Sequence, residues 1–417
     1  MNFKSSFLQE FYQRGFYANC TNNETLDNIL TKQKISVYIG FDCTANSLHA
    51  GSLLQIMILR LLQKHGHQPI ILLGGGTTKI GDPSGKDQTR QILTHEKITQ
   101  NLKEIKKTLE KFLDFSSYNK AIIVNNDDWL KDLNYINFLR DIGRHFSINR
   151  MLSFDSVKLR LEREQNLSFL EFNYMIFQAY DFYKLSQTHN CILQIGGSDQ
   201  WGNIVNGVEL TRKITFASDE NKSKEVFGLT SPLLTTASGN KMGKTVDGAI
   251  WLDEKLLEPY DYFQYFRNID DKDVGKFLRL FTDLNISKIN DLEKLKDQEI
   301  NKAKEILAFE ATKICHGQEK ADQVLKKAQE IFINNNISNI EQKNIDLEDG
   351  KKLSEIIKIC GASQSLSQSK NLIQGNAVKI NDNTISDINY KFESPIQFNL
   401  QIGKKKFFNI NLFNNKK

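Results

Sequence analysis

The sequence predicts an α/β protein built on a parallel sheet, with a helical segment and a small basic module after it. Three observations carry this. "ISVYIGF" (35–41) and "QPIILLGGG" (68–76) are apolar runs, and between them "HAGSLLQIMILRLLQKHG" (49–66) is apolar at helical spacing and closes on Gly66. Strand, helix and strand in that span make a βαβ unit, whose two strands lie parallel. Glycines gather at strand ends, at 74–76 and again in "CILQIGGSDQWGN" (191–203), and in open α/β sheets ligands bind beyond the carboxyl ends of the strands.

The remaining elements follow in order. "KAIIVNN" (120–126) predicts a third strand, and 191–203 opens with a fourth. "FLEFNYMIFQAYDFYKL" (169–185) predicts a helix that is apolar nearly all round, yet Tyr174, Gln178 and Asp181 fall at i, i+4 and i+7 on one face. On a buried helix such a stripe needs partners: water, another helix, or a small polar ligand in a pocket. From about 259 to 330 the pattern is helical and charged, and 333–350 is polar and Asn-rich, as in a linker. Residues 351–417 carry eleven lysines against four acidic residues, net +7, while the whole chain is only +5. Basic charge concentrated in one small module points to a polyanion such as RNA, and equally to a solvated lysine-rich end.

With 417 residues, 25% charged and 40% hydrophobic, two or three domains and at least one large core are expected. No apolar run approaches the ~18 residues of a membrane span. The start, "MNFKSSFLQEFYQRGF", lacks the apolar core of a signal peptide. Five cysteines are scattered, and Cys315-His316 has no further ligands beside it, so no zinc site is expected. A reduced, cytoplasmic protein is the expectation.

Two phosphate-binding motifs fail. Gly76 and Gly81 have the P-loop spacing, but Asp82 follows where lysine is required. Gly74 and Gly76 are followed by Lys79, which breaks the dinucleotide fingerprint GxGxxG. Two other stretches can handle phosphate. In "FDCTANSLHAGSL" (41–53), His49 and Thr44 can donate to an anion at a helix start, where unpaired amides also point outward; alone, the stretch reads as a helix capped by Asn46 or Ser47. In "SGNKMGKT" (238–245), two lysines three apart can follow charge that moves outward, as when pyrophosphate leaves, though alone this is a surface loop.

Together the pieces resemble one family. "HAGS" (49–52) is similar to the HIGH signature of class I aminoacyl-tRNA synthetases, and "KMGKT" (241–245) to their KMSKS signature. "YIGFDCTANSLHAG", "GDPSGK", "FLRDIGRHFSINRM", "QAYDF", "LQIGGSDQWGNI" and "FGLTSPLL" resemble the bacterial tyrosyl-tRNA synthetases over essentially the whole chain. The resemblance implies a Rossmann-like catalytic domain over 1–258, a helical tRNA-binding domain over 259–332, a linker over 333–350 and a small α+β RNA-binding domain over 351–417, with two helices and a hairpin around "NDN". It also implies a homodimer, formed through the segment around 125–165.

The implied reaction joins L-tyrosine to ATP, giving tyrosyl-adenylate and pyrophosphate, and then esterifies the 3′ end of tRNA(Tyr). By resemblance Tyr38 and Asp181 hold the phenol, and Asp82, Tyr174 and Gln178 the ammonium. Thr44 and His49 grip the outgoing phosphates. Gly40, Asp42, Gly51, Gly197 and Asp199 form the adenosine site, and Lys86, Arg90 and Gln200 act near the α-phosphate or the substrate carboxylate. Lys241, Lys244 and Thr245 close over pyrophosphate. Mg²⁺ is expected with ATP, without a dedicated carboxylate cage. Ser52 departs from the family's second histidine, which implies altered ATP binding. Three rivals share parts of the pattern. A tryptophanyl enzyme is disfavoured by the Tyr38–Asp181 pair, an inactive RNA-binding paralogue by His49, Lys241 and Lys244, and an oxidoreductase by the missing glycine fingerprint.

Overall fold

The computed structural model describes residues 1–84, 93–218, 225–236, 242, 244–245, 248–338, 340–348, 352–381, 383–403 and 406–414. The chain divides into two compact units, Met1–Asp322 and Gln323–Lys417.

In the first unit, helix α1 (Ser6–Gln13) precedes strands β1 (Asn19–Cys20) and β2 (Ser36–Asp42). Helix α2 (Ala50–Lys64) leads to β3 (Gln68–Gly74) and β4 (Ile122–Asn125), and helix α3 (Tyr174–Thr188) to β5 (Cys191–Gly197), helix α4 (Trp201–Ser218) and β6 (Phe227–Ser231). The sheet order is β1-β6-β5-β2-β3-β4. All neighbours are parallel except β1 and β6. Strand β3 is buried from Pro69 to Gly74, as expected of a parallel strand covered on both faces. The helix expected over 169–185 is divided at Asn173: a single turn, Phe169–Phe172, held by a capping box between Ser168 and Glu171, precedes α3.

The topology places the site. From β2 the chain moves to β3 and β4 on one side, then returns to β5 and β6 on the other. The loops beyond β2 and β5 therefore diverge and leave a crevice between them.

After β6 come a short hairpin, β7 (Lys244–Thr245) and β8 (Gly248–Ala249), and helices α5 (Pro259–Arg267), α6 (Val274–Phe281) and α7 (Ile300–His316). The domain boundary expected at 258 does not separate compact units, because these helices belong to the first unit. Arg14, just past α1, supplies much of the reason. Its guanidinium, 4% exposed, donates to the carbonyls of Arg279 (2.9 Å), Thr282 (2.9 Å) and Leu284 (2.7 Å) at the end of α6. Those carbonyls lack partners within the helix, so a residue of the amino-terminal segment closes an element some 270 positions away.

Helix α8 (Gln318–Ser338) contains the division between the units. Beyond it lie β9 (Ile340–Asp346), α9 (Leu353–Ile359), α10 (Leu366–Gln374), β10 (Val378–Ile380), β11 (Asn383–Thr384), β12 (Ile396–Ile402) and β13 (Lys406–Phe413). The five strands form one sheet in the order β11-β10-β12-β13-β9, with β9 parallel to β13. The linker expected over 333–350 is thus overturned: it holds the end of α8 and a whole strand. Ile345 and Leu347 enter the core with Leu353, Ile357, Phe398 and Ile410, while Gln342 and Asn344 stay exposed. A strand with one amide-covered face looks like a linker by composition alone. The hairpin around "NDN" is present as the antiparallel pair β10–β11.

No described helix is long and apolar enough to cross a membrane. Arg14→Ala should lower the unfolding free energy of the first unit by about 3 kcal/mol, read by urea denaturation; a loss under about 1 kcal/mol would show that the three carbonyls find other partners.

Candidate active site

A cavity of about 370 Å³ opens beyond the carboxyl ends of β2 and β5. It gathers most of the residues singled out from the sequence: Tyr38, Gly40, Asp42, Thr44, His49, Gly51, Ser52, Asp82, Tyr174, Gln178, Asp181, Gly197, Asp199 and Gln200. Lys86, Arg90 and Lys241 lie outside the described residues. Lys244 and Thr245 form β7, paired with Ala249 and Gly248 of β8.

At its base sit Tyr38 and Asp181, each 1% exposed. The carboxylate of Asp181 accepts from Asn126 Nδ2 at 2.9 Å and from the indole of Trp129 at 2.8 Å. Burial pushes this carboxyl up to about 7, against the lowering effect of the two donors. The Tyr38 ring packs on Phe182 at 5.3 Å between centroids, and its hydroxyl is buried with no hydrogen-bond partner among the described residues. Burial and the nearby Asp181 hold that hydroxyl well above the usual phenol range, so it stays a donor. A buried hydroxyl without a partner is costly unless something supplies one.

Two hydrogen-bond chains climb from this base. In one, Asn126 Nδ2 also donates to Thr77 Oγ1 (3.0 Å), Thr77 Oγ1 donates to Asp42 Oδ1 (2.9 Å), and Tyr174 Oη donates to Asp42 Oδ2 (3.0 Å). Gly74 is required here, since a Cβ would lie 2.2 Å from Asp42 Oδ1. In the other, Asn203 Nδ2 donates to Gln178 Oε1 (3.0 Å) and Gln200 Oε1 (3.1 Å), and Gln200 Nε2 donates to Asp82 Oδ2 (2.9 Å). Burial raises the Asp82 carboxyl, while Ser84 and Gln200 oppose the shift. The stripe on α3 thus faces the cavity with all three members, Tyr174, Gln178 and Asp181.

At the mouth, His49 itself is the N-cap of α2, in place of Asn46 or Ser47. The Gly51 amide donates to His49 Nδ1 at 2.9 Å. Nδ1 is therefore the unprotonated nitrogen, and the neutral ring carries its proton on Nε2. The amides of Ala50 and Ser52 are taken by the carbonyls of Ile250 and His49. The open cradle of helix amides expected from the sequence is thus already filled, and what the helix start offers an anion is the imidazole. Gly51 allows this, because a Cβ would meet His49 Cε1 at 2.6 Å and the Met242 carbonyl oxygen at 3.2 Å. That second contact brings the residue between the two lysines, Met242, beside the helix start.

Sequence reasoning missed Thr77, Asn126, Trp129 and Asn203, which hold the ligand-facing groups in place. The one available signal was the polar run "NNDDW" closing the third strand (125–129). Among the described residues lining the cavity, the charged groups are four carboxylates, Asp42, Asp82, Asp181 and Asp199, and the titratable His49. Such a set suits an ammonium and hydroxyl groups. No group of three or more possible metal ligands occurs among the described residues.

Comparisons with known proteins identify the family. Residues 30–333 match the family described as tRNA synthetases class I (W and Y). A tyrosine–tRNA ligase of Wolbachia pipientis is 56% identical, with 98% of each chain covered, and one of Pelagibacter ubique is 53% identical over 98% of this chain and all of the relative. The structure is similar to a C-terminally truncated mitochondrial tyrosyl-tRNA synthetase of Aspergillus nidulans, with a TM-score of 0.71 and 29% identity over 79% of this chain and 94% of that one. The match covers well over half the chain and the relatives extend it to nearly the full length, so the chain belongs to the class I tRNA synthetases of the tryptophan and tyrosine group.

Proposed function

We propose that the chain is a tyrosine–tRNA ligase, activating L-tyrosine with ATP and passing it to the 3′ end of tRNA(Tyr). The observation that carries the tyrosine assignment is the pair at the cavity base: a buried carboxylate, Asp181, and the buried hydroxyl of Tyr38, without a partner among the described residues. A phenol entering there donates to Asp181 and accepts from Tyr38, satisfying both. Phenylalanine leaves the Tyr38 hydroxyl unmet and brings Asp181 no further donor, and discrimination of this kind is large; tyrosine-activating enzymes are its standard example, at about 10⁵-fold.

Higher in the cavity, the carboxylate of Asp82 with Tyr174 and Gln178 receives the ammonium. The substrate's own carboxylate is the nucleophile, so the protein needs no covalent intermediate; its contribution is alignment and charge stabilisation. His49 donates from Nε2 to a phosphate oxygen of ATP beside Thr44, and Asp199 takes ribose hydroxyls near Gly40, Gly51 and Gly197. Gln200 lies near the α-phosphate, and Lys86, Arg90, Lys241, Lys244 and Thr245 keep the roles that the family resemblance gives them. Mg²⁺ enters with the ATP phosphates, which supply its oxygen ligands. Ser52, lining the cavity, retains a hydroxyl for the ATP side.

The basic module of the second unit supports tRNA contact through phosphates. Exposed apolar side chains at Tyr135, Ile136, Ile148 and Leu161 support a homodimer through the segment around 125–165. Five cysteines without a disulfide fit a reducing, cytoplasmic setting.

Three tests follow from these roles. Tyrosine-dependent ATP–pyrophosphate exchange, run across the amino acids, should respond to tyrosine above all others; no exchange from folded protein would sink the assignment. Asp181→Asn should erase most discrimination against phenylalanine and also change the pH profile of stability. Because the folded carboxyl titrates near 7 and the unfolded one near 3.8, the folded chain holds a proton between those values that the unfolded chain has lost. Stability from this group is full below the unfolded value and is lost as pH rises toward 7. The variant should therefore show a flatter melting temperature between pH 4 and 7 than the wild type; parallel profiles would refute the shift. Finally, because β9 pairs with β13, truncation belongs after Ser338, before that strand, rather than at 350. A 1–338 chain should form tyrosyl-adenylate at nearly the full rate and charge tRNA at least about 10-fold more slowly, and equal loss of both steps would contradict separate roles.

A further inference from the structure

We infer that Trp251 is a positioning residue for His49, tying the orientation of the imidazole to the segment that follows the lysine pair. The inference rests on the function proposed above and concerns how that site is assembled.

The backbone evidence comes first. His49 and Trp251 form an isolated antiparallel bridge. The Ala50 amide donates to the Ile250 carbonyl at 2.7 Å, and the Leu252 amide to the Leu48 carbonyl at 3.0 Å. Both bonds flank the pair and neither belongs to it, so this is the non-hydrogen-bonded type of antiparallel pair. In that type the two α-carbons approach most closely and the side chains stand together on one face.

The rings agree with the backbone. Their centroids are 6.3 Å apart with an interplanar angle of 70°, an edge-to-face arrangement. The imidazole is thus fixed from two sides. The Gly51 amide holds Nδ1, and the indole limits rotation of the ring.

The same segment is tied to the lysine pair. Met242, 5% exposed, donates its amide to the Leu234 carbonyl at 3.0 Å, and its carbonyl oxygen lies near Gly51. Between Met242 and Trp251 the chain passes through the β7–β8 hairpin. Met242 before the hairpin and Trp251 after it thus both lie beside the helix start. Trp251 does not line the cavity, so its effect on the reaction runs through His49.

The test is a double-mutant cycle on the full chain, read as single-turnover tyrosyl-adenylate formation together with tyrosine binding. Trp251→Leu keeps the backbone bridge and removes the ring. His49→Asn keeps a cap for the Gly51 amide and removes the Nε2 donor. Trp251→Leu alone should slow adenylate formation about 10-fold and leave the dissociation constant for tyrosine within about 2-fold, with Trp251→Phe restoring most of the rate. In the His49→Asn background the same substitution should change the rate by less than about 2-fold. An equal loss in both backgrounds, or tyrosine binding weakened as much as the rate, would overturn the inference and make Trp251 a general packing residue. If Trp251→Leu does not fold, Trp251→Met carries the same cycle. A wild-type chain without tyrosine-dependent activation would overturn the proposed function and this inference with it, whereas additive losses in an active enzyme would overturn this inference alone.

Discussion

The burial of one carboxylate governs the architecture of the cavity. Asp181 sits at the base of the site, 1% exposed, where an ionised group without partners would be strongly disfavoured. Two donors offset that penalty, Asn126 and Trp129, and each needs its own support. Asn126 is itself fully buried, and its carbonyl accepts from the amides of Gly76 and Thr77 beyond β3. Thr77 in turn fixes Asp42, which holds Tyr174. A requirement at one atom thus dictates the course of the chain after β3, the first residues after β4 and the facing side of α3. Opposition to charge remains, visible in the raised titration of Asp181; under the proposed function a substrate hydroxyl would relieve it.

The distribution of charge then divides the reaction between two sources. The described lining is acidic, with Asp42, Asp82, Asp181 and Asp199. That suits the ammonium and the ribose and opposes a triphosphate. His49, donating through one nitrogen, cannot balance several phosphate charges in a site of low dielectric. Under the proposed function the balance falls to cations outside the described lining: Lys86, Arg90, Lys241, Lys244 and the metal ion expected with ATP. This is consistent with a site whose tyrosine half is complete before ATP enters and whose phosphate half is completed by it.

Much of this was legible in the sequence, and the failures share one cause. The stripe Tyr174, Gln178, Asp181 could be read because helical spacing alone puts those residues on one face, whatever packs there. The parallel sheet was legible from the βαβ spacing for the same reason. By contrast, Asn126 and Trp129 reach Asp181 across 55 and 52 positions, and no local pattern reports such pairs. The cap of α2 was misassigned because residue preferences favour Asn46 or Ser47, whereas the helix start is set by a bridge to Trp251, far along the chain. The segment 333–350 failed differently. Its strand has a partner in β13 and an exposed face of amides, so composition signalled solvent where pairing supplied the structure. Arg14 closing α6 is a third case of a distant partner overriding a local division.

The two sides of the cavity are held by different kinds of contact among the described residues. The tyrosine half rests on buried side-chain networks joined to the central strands, with Asn126, Asp181 and Tyr38 almost wholly enclosed. Local opening there would expose a large part of the core and is correspondingly rare. On the His49 side the described fastenings are backbone bonds: the two around the His49–Trp251 pair, the Met242 amide to the Leu234 carbonyl, and a hairpin of two residue pairs. Under the proposed function, selecting a phenol calls for groups as firmly enclosed as Tyr38 and Asp181. Stabilising a leaving pyrophosphate requires groups that advance as charge develops and retreat when product leaves. Under the proposed function the first task falls on the sheet and the second begins at His49, the cap of α2, which needs a contact that holds its orientation. The edge of the Trp251 ring against the imidazole is positioned to be that contact.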